Sequence, residues 1–76
     1  MPRLPTISAQ DLIDALSRAG FERARQKGSH VRLKHADGRV VTVPVHPGKD
    51  LGRGLLRKIL RDAKWSSDDL IYFLQK

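Results

Sequence analysis

The stretch Arg25-Gln26-Lys27-Gly28-Ser29-His30, running on into Val31-Arg32-Leu33-Lys34, decides how this chain is read. It has the pattern of a strand end, a turn at Lys27-Gly28 and a second strand over residues 29–35 in which apolar and basic side chains alternate. Period two puts Val31 and Leu33 on one face, which asks for a core. The other face receives His30, Arg32 and Lys34, a histidine flanked by cations. Histidine is the side chain whose ordinary pKa lets it take or give a proton near neutral pH. A cationic surround holds a polyanion such as RNA against it. Two readings stand side by side here: an acid/base in a small ribonuclease, or a surface histidine on a basic sheet.

On the C-terminal side, Ala36-Asp37-Gly38 turns the chain into a third strand, Arg39 to Val43. A two-residue Asp37-Gly38 turn would pair Leu33 with Thr42 and set Val41 and Val43 beside Arg32. A three-residue loop, a type I turn with Gly38 left-handed, pairs Leu33 with Val41 and Val31 with Val43. A one-residue slip inverts every side chain, so only the second keeps the apolar residues together. The bulged turn is therefore expected. Pro44 then leaves the sheet, since a proline cannot donate to the ladder. On the N-terminal side, Phe21 to Gln26 reads as a first strand of weak pattern, because Arg23 and Arg25 share the parity of Phe21.

Helices bracket these strands. After an extended lead-in over residues 1–7, containing Pro2 and Pro5, Ser8 is an N-cap candidate with Asp11 at the capping-box position and Ile7 placed to staple onto Leu12. Leu12, Ile13, Ala15, Leu16 and Ala19 make the buried stripe, and Gly20 ends the helix. Lys49-Asp50-Leu51 has the look of a helical turn. The second main helix is expected from near Arg53 to Ala63, with Leu55, Leu56, Ile59, Leu60 and Ala63 at helical spacing and Arg53, Arg57 and Arg61 in a row along another side. Trp65-Ser66 breaks it. Ser66 with Asp69 repeats the capping box, Trp65 can staple onto Leu70, and Ile71, Phe73 and Leu74 give a short third helix its apolar contacts. An α-β-β-β-α order with an added C-terminal helix is an α+β two-layer domain, helices on one face of the sheet and the other face open. That open face carries His30, Arg32, Lys34 and Thr42.

Size and composition agree. Seventy-six residues suit one domain over 1–76, and 39% apolar residues supply one core. The chain has no cysteine, which excludes a disulfide framework and a thiolate metal site. No apolar run approaches the roughly 20 residues of a membrane span. The amino end lacks the apolar region of a signal peptide, which points to the cytoplasm. Fifteen Lys and Arg against eight Asp and Glu leave a net charge of +7, which favours nucleic acid or an acidic protein as partner. The arginines are spread over strands and helices, unlike those of a membrane-surface helix.

Four blocks then carry a resemblance: Gly20-Phe21, Arg25-Gln26-Lys27-Gly28-Ser29-His30, Val43-Pro44-Val45-His46-Pro47-Gly48-Lys49 and Gly54-Leu55-Leu56-Arg57-Lys58-Ile59-Leu60. In this order and spacing they resemble the HicA toxins, over roughly residues 4–75. The resemblance implies a double-stranded-RNA-binding-domain-like fold, a ribosome-independent mRNA interferase activity and neutralisation by a HicB antitoxin. It also implies that His30, in the glycine-serine-histidine motif, is the catalytic histidine. The chain departs from the family's usual pattern at Leu55, where threonine is common, at Lys64, where glycine often ends the helix, and at Arg23, where the family tends to be apolar.

The chemistry follows from residue type. RNA cleavage can use the neighbouring 2′-hydroxyl as nucleophile, so a site needs a proton acceptor, a proton donor and cations. His30 suits the first role. Arg25, Lys27 and Arg32 suit the stabilisation of developing charge, with Lys34 on the same face for RNA binding. Gly28 allows close backbone approach to a phosphate, and its amide with that of Ser29 suits an oxyanion; the plainer alternatives are turn geometry and strand solvation. His46 reads as a loop residue first and a secondary acid/base second, and His35 as a strand-end residue. Arg57, in its row, is a candidate for phosphate or antitoxin contact, against the alternative of a solvated helix face. No histidine spacing matches a metal-ligand pair, so neither metal nor cofactor is expected. The rival functions are a non-catalytic double-stranded-RNA-binding module and a DNA-binding protein using the second helix. That helix is poor in base-reading Asn and Gln.

Overall fold

The computed structural model describes residues 4–76, so Met1 to Arg3 of the expected lead-in lie outside the described residues. The elements are α1 (Ala9–Arg18), β1 (Glu22–Lys27), β2 (His30–Lys34), β3 (Val40–Pro44), α2 (Arg53–Ala63) and α3 (Ser67–Gln75). Alternation in β2 is realised: Val31 and Leu33 are buried, while His30, Arg32 and Lys34 are exposed. Val31 pairs with Val43 and Leu33 with Val41, the register that the three-residue loop demands. Gly38 is left-handed at φ 99°, and its N–H donates to the His35 carbonyl to close the turn. The antiparallel sheet runs β1-β2-β3, with the helices on one face. This is the α-β-β-β-α arrangement of double-stranded-RNA-binding-domain-like folds, with an extra C-terminal helix.

The helices cover the apolar sheet face. Ala9, Leu12, Ile13, Ala15 and Leu16 of α1 and Leu56, Ile59, Leu60 and Ala63 of α2 close over Val31, Leu33, Val41 and Val43. At about 25 cal/mol per Å² of apolar surface removed from water, this core is the main favourable contribution to folding. Ser8 caps α1 by accepting from the Asp11 N–H, whereas Ser66 and Asp69 form both halves of a capping box at α3. Arg18 of α1 donates to the Phe73 carbonyl, tying the first helix to the last.

Several boundaries differ from the sequence reading. The strand β1 starts at Glu22, because Phe21 turns inward and is 2% exposed, packed edge-on against His35 and Trp65. Lys27 belongs to β1 and the turn is Gly28-Ser29. Pro44 is the last residue of β3, opposite His30. The bond it cannot donate is supplied one residue on, from the Val45 N–H to the Ser29 carbonyl. The segment Lys49-Asp50-Leu51 is not a helical turn. Asp50 forms an isolated bridge with Ser8 and the Leu51 N–H donates to Ile7, so the segment is held extended beside the start of α1. Leu55 is 37% exposed rather than buried, since at the start of α2 it points away from the sheet.

Candidate functional site

Every residue of β1 is exposed. The helices lie over β2 and β3, so β1 is held chiefly by its ladder to β2. Its pairing shifts between Arg23 and Arg25, leaving Ala24 as a bulge. The bulge resolves the parity conflict in the sequence. Arg23 stays opposite Leu33 on the helix side, while Arg25 stands opposite Arg32 and Lys27 opposite His30. In turn Arg32 faces Thr42 across β3, and His30 faces Pro44. Directly opposed residues of an antiparallel pair share a face. Two short rows result on the open side, Arg25–Arg32–Thr42 and Lys27–His30–Pro44.

The side chains of Arg25, Lys27, His30, Arg32 and Thr42 line one hollow of about 230 Å³. No carboxylate lines it. Among the described residues the ion pairs are Arg39 with Asp37 and Lys58 with Asp62, with His35 Nδ1 also 3.1 Å from the Asp37 carboxylate, and none of these engages a cation of this hollow. A face of this kind attracts anions, and a histidine beside cations can exchange a proton with whatever they hold. Gly28 occupies the first position of the two-residue β1–β2 loop at φ 59°, where a type II′ turn takes a glycine. The Ser29 carbonyl is engaged by Val45, which fastens this turn to the segment after β3.

The other expected site residues lie elsewhere. Lys34 is on the same face but borders a second hollow, of about 280 Å³, with Glu22, Arg23 and His35. Arg57 is exposed on α2 in the helical layer and does not line the histidine hollow. His46 is exposed in the loop after β3, where its backbone carbonyl accepts from the Lys49 N–H. His35 is half-buried and occupied structurally: Nδ1 accepts from the Asp37 N–H at 3.1 Å and Nε2 lies 3.2 Å from the Ala19 carbonyl at the end of α1. Among the described residues no group of three or more His, Cys, Asp or Glu could hold a metal ion. Sequence reasoning left Thr42 out of the site although it had placed it on this face. The double-arginine parity conflict at Arg23 and Arg25 was the available signal for the bulge.

Comparison with known families adds the decisive observation. The family model described as HicA toxin of bacterial toxin-antitoxin matches residues 9–65. The chain belongs to the HicA toxin family. As a HicA toxin it is the toxin of a toxin–antitoxin pair, and a cognate antitoxin is implied as its partner. The matched span runs from the first residue of α1 to Trp65 and so contains the whole sheet and its hollow, with α3 beyond it. No curated protein matches the chain. No helix among the described residues of this HicA toxin is long and apolar enough to cross a membrane.

Proposed function

We propose that this toxin is a cytoplasmic, ribosome-independent endoribonuclease that cleaves mRNA without a metal ion, with His30 as its acid/base, and that a HicB-type antitoxin neutralises it. The observation that carries this reading is the placement of His30, exposed beside Arg25, Lys27 and Arg32 with no carboxylate in the hollow. The RNA itself supplies the nucleophile. His30 takes the proton of a 2′-hydroxyl as that oxygen attacks the adjacent phosphorus, and the bond from phosphorus to the 5′-oxygen breaks. The departing oxygen is protonated by the imidazolium so formed or by water. The 2′,3′-cyclic phosphate keeps one negative charge, and the transition state spreads more charge over oxygens that the three cations stabilise. Acid/base help of this kind contributes on the order of 10²–10⁴-fold.

Replacing the histidine tests the assignment. Because His30 is exposed, His30→Ala should leave folding stability within about 0.5 kcal/mol of the parent. RNA binding should survive, since affinity comes mainly from cation–phosphate contacts. Cleavage of a single-stranded RNA in chelator should fall by two or more orders of magnitude, about the worth of the lost proton acceptor. Equal cleavage by variant and parent would place the chemistry elsewhere. A parent that binds RNA without cutting it would leave a non-catalytic binding module.

A further inference from the structure

Resting on the ribonuclease reading, we infer that Thr42 gives the toxin a preference for RNA over DNA in binding, separate from the contact of His30 with the attacking oxygen, through a hydrogen bond to a ribose 2′-hydroxyl. The argument begins with what the rest of the hollow can recognise. Arg25, Lys27 and Arg32 are donors only, and the groups they suit are phosphate oxygens. Phosphates are the same in both nucleic acids, so these three contribute affinity without discrimination. His30, in the proton-transfer role, is committed to the attacking 2′-hydroxyl at the cleaved bond, a contact that the His30→Ala background of the test removes. Thr42 is the one remaining side chain of the hollow, and it carries a neutral hydroxyl. A hydroxyl both donates and accepts, as the 2′-hydroxyl does, and that group distinguishes RNA from DNA at a given site.

Position supports the chemistry. Thr42 is exposed at the centre of the open face of β3 and directly opposite Arg32, so their Cβ atoms stand about 5 Å apart. It is diagonal to His30, about 7 Å away by the same geometry, with Pro44 opposite the histidine. A ribose whose phosphate is gripped by Arg32 therefore lies within reach of the Thr42 hydroxyl. The neighbours Val41 and Val43 point into the core and fix the strand, so the hydroxyl is presented from a rigid element. A threonine chosen only for its fit to a strand would be matched by valine, which has the same shape and an equal liking for strands.

The test uses the His30→Ala toxin, so that RNA survives the measurement, and compares a short single-stranded RNA with DNA of the same sequence. The His30→Ala protein should favour RNA by about tenfold, the worth of one neutral hydrogen bond. Adding Thr42→Val should remove that preference by weakening RNA and leaving DNA unchanged, with Thr42→Ala behaving alike. Thr42→Ser should keep it. Thermal unfolding checks that each variant is folded. An RNA-to-DNA ratio that Thr42→Val does not change, or equal affinity for RNA and DNA before Thr42 is altered, overturns this inference while leaving the nuclease reading standing. Absence of any RNA binding overturns both.

Discussion

Arg25 and Arg32 stand directly opposite one another across the β1–β2 ladder, and no carboxylate of the hollow separates their charges. Like charges in that position destabilise a sheet by a few tenths to about 1 kcal/mol, so the fold retains a repulsion that a bound anion would relieve. Arg25→Gln keeps most of the stem and removes the charge. It should therefore raise folding stability by about 0.2–1 kcal/mol in urea unfolding while weakening RNA binding. The logarithmic salt slope for a single strand should fall by about 0.7, the loss of one phosphate contact. An unchanged slope would show that Arg25 touches no phosphate. A second residue-level strain sits at Lys64, the only non-glycine with positive φ among the described residues, at 59°. The ends of α1 and α2 make this clear. In α1, Gly20 takes the left-handed position and the Phe21 N–H reaches back to Leu16; in α2, Lys64 takes it and the Trp65 N–H reaches back to Leu60. A side chain in that conformation costs on the order of 1–2 kcal/mol, partly offset by the greater chain entropy that glycine loses on folding. Lys64→Gly should thus stabilise the toxin by about 0.5–1 kcal/mol in the same unfolding assay. A loss of stability would mean that the lysine side chain contributes more than its strain.

At the scale of elements, the β2–β3 hairpin was legible in register, whereas β1 was legible as a strand but not in its ends or its facing, for opposite reasons. Four valines and leucines on one face tie the hairpin register to core burial, and only a loop with Gly38 left-handed satisfies them. The strand β1 buries nothing, so no apolar pattern marked its ends, and the bulge at Ala24 broke the parity by which its arginines were read. The cationic face of β2 was legible for the same reason as the hairpin. The share of Arg25 in it depended on the bulge, and the exclusion of Arg57 from the hollow depended on packing that no local pattern encodes. Tertiary hydrogen bonds also decided Lys49 to Leu51, where pairing with Ile7 and Ser8 overrode the helical turn. The same hairpin loop joins the layers: Arg39 donates to the Ala63 carbonyl at the end of α2 at 2.6 Å, lies 5.0 Å above the Phe21 ring and pairs with Asp37. The Arg39 backbone N–H, helped by its guanidinium, holds the Asp37 carboxyl below its ordinary value. A carboxylate with a depressed pKa in the folded state stabilises fully above its unfolded pKa, near 4, and that contribution is lost as pH falls through the lower folded value. Acid unfolding should therefore show a stability loss below about pH 4 that Asp37→Asn diminishes, with the two proteins converging at the acid end. Parallel curves for parent and variant would remove Asp37 from the acid response.

Charge governs the behaviour of the whole molecule. The net +7 is spread over an 8.6 kDa chain, and the sheet face around His30 gathers Arg25, Lys27 and Arg32 with no ion pair among the described residues, whereas Lys58 on α2 meets Asp62. A cognate antitoxin that silences the toxin by covering this face must bring negative charge to it, since burying three cations unpaired would cost several kcal/mol each. Two measurements test that arrangement, and the second separates it from docking on the arginine row of α2. The association rate should fall by one to two orders of magnitude between low salt and about 1 M, as the Debye length shrinks from about 10 Å at 0.1 M to 3 Å. A histidine-selective acylating reagent should modify His30 in the free toxin, where it is exposed, and spare it in the complex, as mass spectrometry of the digested protein would show. His46 provides the internal comparison, being exposed in the loop beyond β3. Protection of His30 together with loss of RNA cleavage is the expected outcome. A complex that is inactive while His30 remains fully reactive would move the antitoxin to α2, and a rate indifferent to salt would remove electrostatic attraction from the encounter.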